Sequence, residues 1–93
     1  MNFAESISEP MHALASEVLE ARNYARLKIV SQYLAVLEAG QWSRLGSDER
    51  ELFLNKMNQD FHPRAWDDWS YDQDDSYRKV IDLIESAMRA TKQ

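Results

Sequence analysis

Advanced at 100° per residue, Met11, Leu14, Ala15, Val18, Leu19, Ala25, Ile29, Val30, Tyr33, Leu34, Val36 and Leu37 fall within one arc, with no change of phase. The pattern predicts one helix over about 9–39, in preference to two helices divided at Asn23. Ser8-Glu9-Pro10 reads as its start, with Ser as the cap and Pro in the first turn, where its missing amide would be unpaired anyway. Gly40 reads as its stop, a residue that adopts a left-handed conformation at little cost. Such a helix is about 46 Å long, whereas a globule of this chain length is about 32 Å across. It must therefore kink, or a second chain must cover the overhang. Over 27–37 the apolar positions also span about half the circumference, wider than one neighbour requires. Leu27, Val30, Leu34 and Leu37 are accordingly expected to form a homodimer seam. Arg22 and Gln32 interrupt the heptad register, so the seam is not a coiled coil.

After a connector with one anchoring residue, Trp42, a second helix is expected. It starts with Ser47 as cap, has Asp48 and Glu49 at the positive end of its dipole, and stops before Pro63. Leu52, Phe53, Met57 and Phe61 are its predicted buried side. Residues 62–73 read as irregular. A third helix is predicted from Asp74-Asp75, running on Tyr77, Val80, Ile81, Ile84, Ala87 and Met88 to a basic end at Arg89 and Lys92. No segment alternates apolar with polar residues over five or more positions, so no sheet is expected. The fold class that follows is all-α: a small bundle of about three helices, the first of them long, in a single domain over 1–93.

Composition narrows the function. The 93 residues are 44% hydrophobic and hold only two Gly and two Pro, which suits a folded chain and not a disordered one. No apolar run is long enough to cross a membrane, and the first residues lack the basic flank and apolar core of a secretion signal, so a cytoplasmic location is expected. The absence of Cys removes disulfides, thiolate metal sites and thiol nucleophiles. A net charge of −5 argues against direct binding to nucleic acid, which needs a basic face.

The position of that charge is the most informative feature. Residues 60–75 hold Asp60, Asp67, Asp68, Asp72, Asp74 and Asp75 against Arg64, a net of −5, while the rest of the chain balances to zero. Phe61, Trp66, Trp69 and Tyr71 are interleaved with the acids. Trp and Tyr give large rigid contact area, and carboxylates around them steer a basic partner and fix its register. Trp66, directly after the His62-Pro63 turn, is expected to be a core anchor, and Trp69, further into the acidic run, the exposed one. The candidate partner-binding residues are Asp67, Asp68, Trp69, Tyr71, Asp72, Asp74 and Asp75. Arg22 and Arg26 lie in the apolar arc and need counter-charges, for which this segment is the nearest source.

Other chemistry finds little support. A calcium loop begun at Asp72 puts Leu83 at its twelfth position, and one begun at Asp74 puts Arg78 and Lys79 where a ligand and a glycine belong. No metal and no cofactor are expected. His12 and His62 stand 50 positions apart with no zinc spacing around them, and no acid–base or nucleophile arrangement stands out. The expected function is that of a non-enzymatic inhibitor, immunity or adaptor protein. It would present the acidic-aromatic loop to a basic surface on a partner protein, such as one that binds nucleic acid. A structural protein that self-associates through the first helix is the alternative.

Overall fold

The computed structural model describes residues 2–69 and 75–91, which form four α-helices and one 3₁₀ turn and contain no strand. Asn2 opens the first helix. Its side-chain oxygen accepts the Glu5 amide at 2.9 Å, and α1 runs Phe3–Glu20. The start expected at Ser8 is therefore corrected to Asn2, an equally good cap that also has Glu three residues into the helix. Pro10 lies well inside α1 and not in its first turn.

The single 9–39 helix is corrected as well. It is two helices, because α1 ends in a Schellman turn: the Asn23 amide donates to the Val18 carbonyl and the Arg22 amide to that of Leu19, both at 2.9 Å. Arg22 takes the left-handed position, φ 57°. Asn23 then caps α2, Tyr24–Glu38, by accepting the Arg26 amide at 3.3 Å. The physical reason is length. An 18-residue α1 is about 27 Å long and fits a molecule measuring 36 × 24 × 21 Å, which the unbroken helix would overrun. Folded back, α1 packs on both α2 and α4. His12 reaches Glu38 across the hairpin.

This hairpin removes the basis for the dimer seam. Val30, Leu34 and Leu37 are buried in the chain's own core, with Leu27 packed against it. The wide apolar girth of 27–37 is covered from within. Arg22 also leaves the arc: it is exposed and makes no ion pair among the described residues. A non-glycine residue in the left-handed region costs about 1–2 kcal/mol, part of which glycine's greater unfolded-state freedom offsets. Arg22→Gly is therefore expected to stabilise the chain by about 1 kcal/mol, read as a higher melting temperature.

Gly40, at φ 76°, ends α2 as expected. Trp42 opens the 3₁₀ turn Trp42–Arg44 and is buried against Phe3 and Phe53, at ring-centroid distances of 4.9 and 6.0 Å. The Arg50 guanidinium lies 4.9 Å from its ring centroid, and Arg50 Nε donates to its carbonyl at 3.1 Å. Helix α3, Ser47–Phe61, is capped one residue earlier than expected, with the Gly46 amide donating to Glu49 Oε1 at 3.2 Å. Its inward face is Leu54, Met57 and Phe61, with Phe53 half-buried. Leu52 is 70% exposed, a second correction. It stands about 200° around the helix from Leu54, so one side cannot bury both. Helix α4, Asp75–Thr91, buries Tyr77, Val80, Ile81 and Ile84, as the periodicity predicts. No helix among the described residues is long and apolar enough to cross a membrane.

Candidate functional site

The described part of the acidic segment begins where α3 ends. The last carbonyls of a helix have no intrahelical donor, and here aromatic side chains supply two. Trp66 Nε1–H donates to the Asp60 carbonyl at 2.7 Å, and the Tyr77 hydroxyl donates to that of Phe61 at 2.6 Å. His62 is held extended by the following Pro63. Its carbonyl accepts the amides of Ala65 at 2.8 Å and Trp66 at 3.1 Å, and its Nδ1 accepts the Arg64 amide at 3.1 Å. The chain is thereby reversed, and Trp66 is driven into the core.

Trp66 is fully buried. Its ring stacks on Phe61 at 5.5 Å and on Tyr77 at 5.0 Å, with interplanar angles of 25° and 18°. Trp69, expected to be exposed, instead meets it edge-on at 6.4 Å and is half-buried against the core, because the turn that sinks Trp66 carries Trp69 onto its edge. The Trp69 amide donates to the Trp66 carbonyl at 2.9 Å, closing the turn.

Polar contacts fix the same turn from the other side. Arg26 Nη2 and Nε donate to Asp68 Oδ1 at 2.7 and 3.2 Å, Asn23 Nδ2 donates to Asp68 Oδ2 at 2.6 Å, and the Arg26 guanidinium lies 5.1 Å from the Trp66 ring centroid. One carboxylate therefore ties the 62–69 turn to the start of α2. Asp68 is engaged within the chain and acts as a positioning group. Asp67, beside it, is exposed and makes no hydrogen bond or ion pair among the described residues. Asp60 accepts the Tyr33 hydroxyl, and burial, reinforced by that carboxylate, pushes the Tyr33 phenol well above its usual range. Asp75 pairs with Arg78 in the first turn of α4. Tyr71, Asp72 and Asp74 lie outside the described residues. Among those described, no three His, Cys, Asp or Glu side chains gather as a metal cage would require.

The Arg26 clamp was legible as a demand for a counter-charge, but Asn23 was missed as its second arm. The missed signal was local, since an Asn before Tyr24 is a cap signature and a capping Asn has its amide nitrogen left to donate. Leu19 and Tyr24, on either side of the α1–α2 corner, are 52% and 63% exposed. The arc assigned Leu19 to the core; the helix ends one residue later, and the side chain stays about half exposed.

The Arg26 hydrogen bond, against a smaller opposing effect of burial, holds the Asp68 carboxyl below its ordinary value near 3.8. A carboxylate whose folded value is depressed adds stability above its unfolded value and loses it as the pH falls through the folded one. The turn is therefore expected to loosen in acid below about pH 4. Asp68→Asn flattens that acid limb, as read from tryptophan emission during urea unfolding at a series of pH values. An unchanged limb would show that the clamp does not operate in solution. No protein-family model, curated protein or solved structure matches the chain.

Proposed function

We propose that the chain is a non-enzymatic binding protein that presents the turn Asp67–Trp69 to a basic surface of a partner protein. The observation that carries this reading is the asymmetry of the turn. Its inner side is fixed three ways, by the buried Trp66 ring, by Asp68 on Arg26 and by Asp68 on Asn23. Its outer side leaves an exposed carboxylate, Asp67, beside a half-buried Trp69. Contact groups held on a rigid base lose little freedom when a partner docks. In sequence, Tyr71, Asp72 and Asp74 continue the same acidic-aromatic character toward Asp75, and the exposed Leu19 and Tyr24 border the corner that Asn23 joins to Asp68.

Capture of a partner by the immobilised chain tests the reading. The captured protein is expected to be basic and to be released as salt screens the carboxylates. Trp69→Ala is expected to weaken capture by about 2 kcal/mol, while lowering the melting temperature far less than loss of Trp66 does. Asp67→Asn is expected to slow association with no loss of stability. Capture that resists salt and is indifferent to both variants would overturn the reading.

A further inference from the structure

Tyr24, Lys28, Ser31, Ala35 and Glu38 follow the spacing i, i+4, i+7, i+11, i+14 along α2, and all five are exposed. Positions so spaced form one stripe of a helix. Glu38 bonds to His12 across the hairpin, so this stripe lies on the same side of the hairpin as the exposed face of α1 that carries His12. Leu19, seven residues further along α1, shares that face. Leu19 and Tyr24 are 52% and 63% exposed, and only Leu52 joins them as an exposed large apolar side chain among the described residues. Both therefore stand at the corner end of one hairpin face. The other flanks are occupied. Ser76 of α4 donates to Glu17 of α1 at 2.9 Å, and Tyr33 of α2 packs on Phe53 and Phe61 of α3. The charges of the stripe are set apart along it. Lys28 stands near the corner and makes no ion pair among the described residues. Glu38 stands ten residues on, about 15 Å toward the open end of the hairpin.

We infer that this face of the α1–α2 hairpin binds a second copy of the chain, turned end for end about a two-fold axis. The contact goes beyond the proposed function and uses neither Asp67 nor Trp69. A two-fold pair meets through the same patch on both copies, so the patch must complement itself. This one does so in charge, because the reversal brings Lys28 of each copy onto Glu38 of the other. A carboxylate has acceptor sites enough for both His12 and a lysine. The same reversal carries each bulky corner, with Leu19 and Tyr24, over the open end of the other copy, where Ala35 and Ala39 are small and exposed. A partner of uniform charge, basic or acidic, would meet one favourable and one opposed charge here. The face is distinct from the Leu27, Val30, Leu34 and Leu37 seam, which the chain covers itself. Its contact is small and belongs with weak, transient interfaces, so it shows at high concentration.

Sedimentation equilibrium of the full chain is the test. The average mass is expected to rise from 10.9 kDa toward twice that value between micromolar and millimolar concentration. Leu19→Ser and Tyr24→Ser are each expected to weaken self-association about tenfold, because a substitution in a two-fold pair is felt twice. Lys28→Glu and Glu38→Lys each set like charges against one another and are expected to weaken it by a similar factor. The chain carrying both reversals keeps the natural net charge and restores both ion pairs, so it is expected to associate as the natural chain does. Leu52→Ser, on α3 and away from the face, is expected to change nothing. Circular dichroism is expected to be the same for every variant, since each substituted side chain is exposed. A mass that stays at 10.9 kDa at millimolar concentration would overturn the inference. So would a double reversal that fails to restore association, or a Leu52→Ser chain impaired as much as Tyr24→Ser. Asp67→Asn is expected to leave the mass unchanged, and loss of association in that variant would move the contact to the turn and refute the hairpin face. Lys28→Glu is expected to leave capture of a basic partner at the turn intact, so the two readings fail separately.

Discussion

Trp66→Ala is expected to lower stability by about 3–5 kcal/mol, a large part of the 5–15 kcal/mol available to a domain. The side chain is fully buried, its ring is stacked with Phe61 and with Tyr77, and its indole N–H supplies the Asp60 carbonyl with a donor. Truncation removes the ring that joins the end of α3 to the start of α4 and leaves that carbonyl without the indole. Trp66→Phe separates the two contributions. It retains most of the apolar area and loses the hydrogen bond, so about 1–3 kcal/mol is expected. Urea unfolding at neutral pH reads both variants. A loss under about 1 kcal/mol for Trp66→Ala, within the range of an ordinary surface change, would mean that the ring is not buried in solution.

Pro10→Ala is expected to act in the opposite direction, raising stability by about 2 kcal/mol. Proline inside a helix is about 3 kcal/mol less favourable than alanine, and the alanine chain's greater freedom when unfolded returns part of the difference. For a chain of this size the melting temperature should rise by roughly 10 °C. A flat or lowered melting temperature would mean that α1 packs around the proline ring in a way alanine cannot replace.

The sequence carried the helical class, the stop at Gly40, the presence of α3 and α4 and the inward face of α4. Each of these rests on a local rule of period, cap or breaker, and such rules act over a few residues whatever the rest of the chain does. It also carried the Arg26 counter-charge and the burial of Trp66, though not the half-burial of Trp69, because an unpaired guanidinium on an apolar face and a ring directly after a helix-ending His-Pro pair are local conflicts. The Asn2 start and the Asn23 cap were equally local, and were hidden by an apolar arc that runs through residues 21–23 without losing phase.

The apolar arc did not decide between one helix and two, since an arc in phase is compatible with either, and the tertiary structure gives two, divided at Arg22 and the Asn23 cap. The decision came from the molecule's dimensions. A helix of about 46 Å exceeds the 36 Å long axis, and reversal at Arg22 lets α1 and α2 cover each other's apolar faces. The same reversal buried Val30, Leu34 and Leu37 of the expected seam in the chain's own core with Leu27 half-buried against them, exposed Leu19 and Tyr24, and brought Asn23 and Arg26 onto Asp68. It also set α1 beside α4, so that Pro10 faces a groove. Contacts between residues more than 40 positions apart depend on where the chain turns, and a pattern with a period of 3.6 residues does not contain that information.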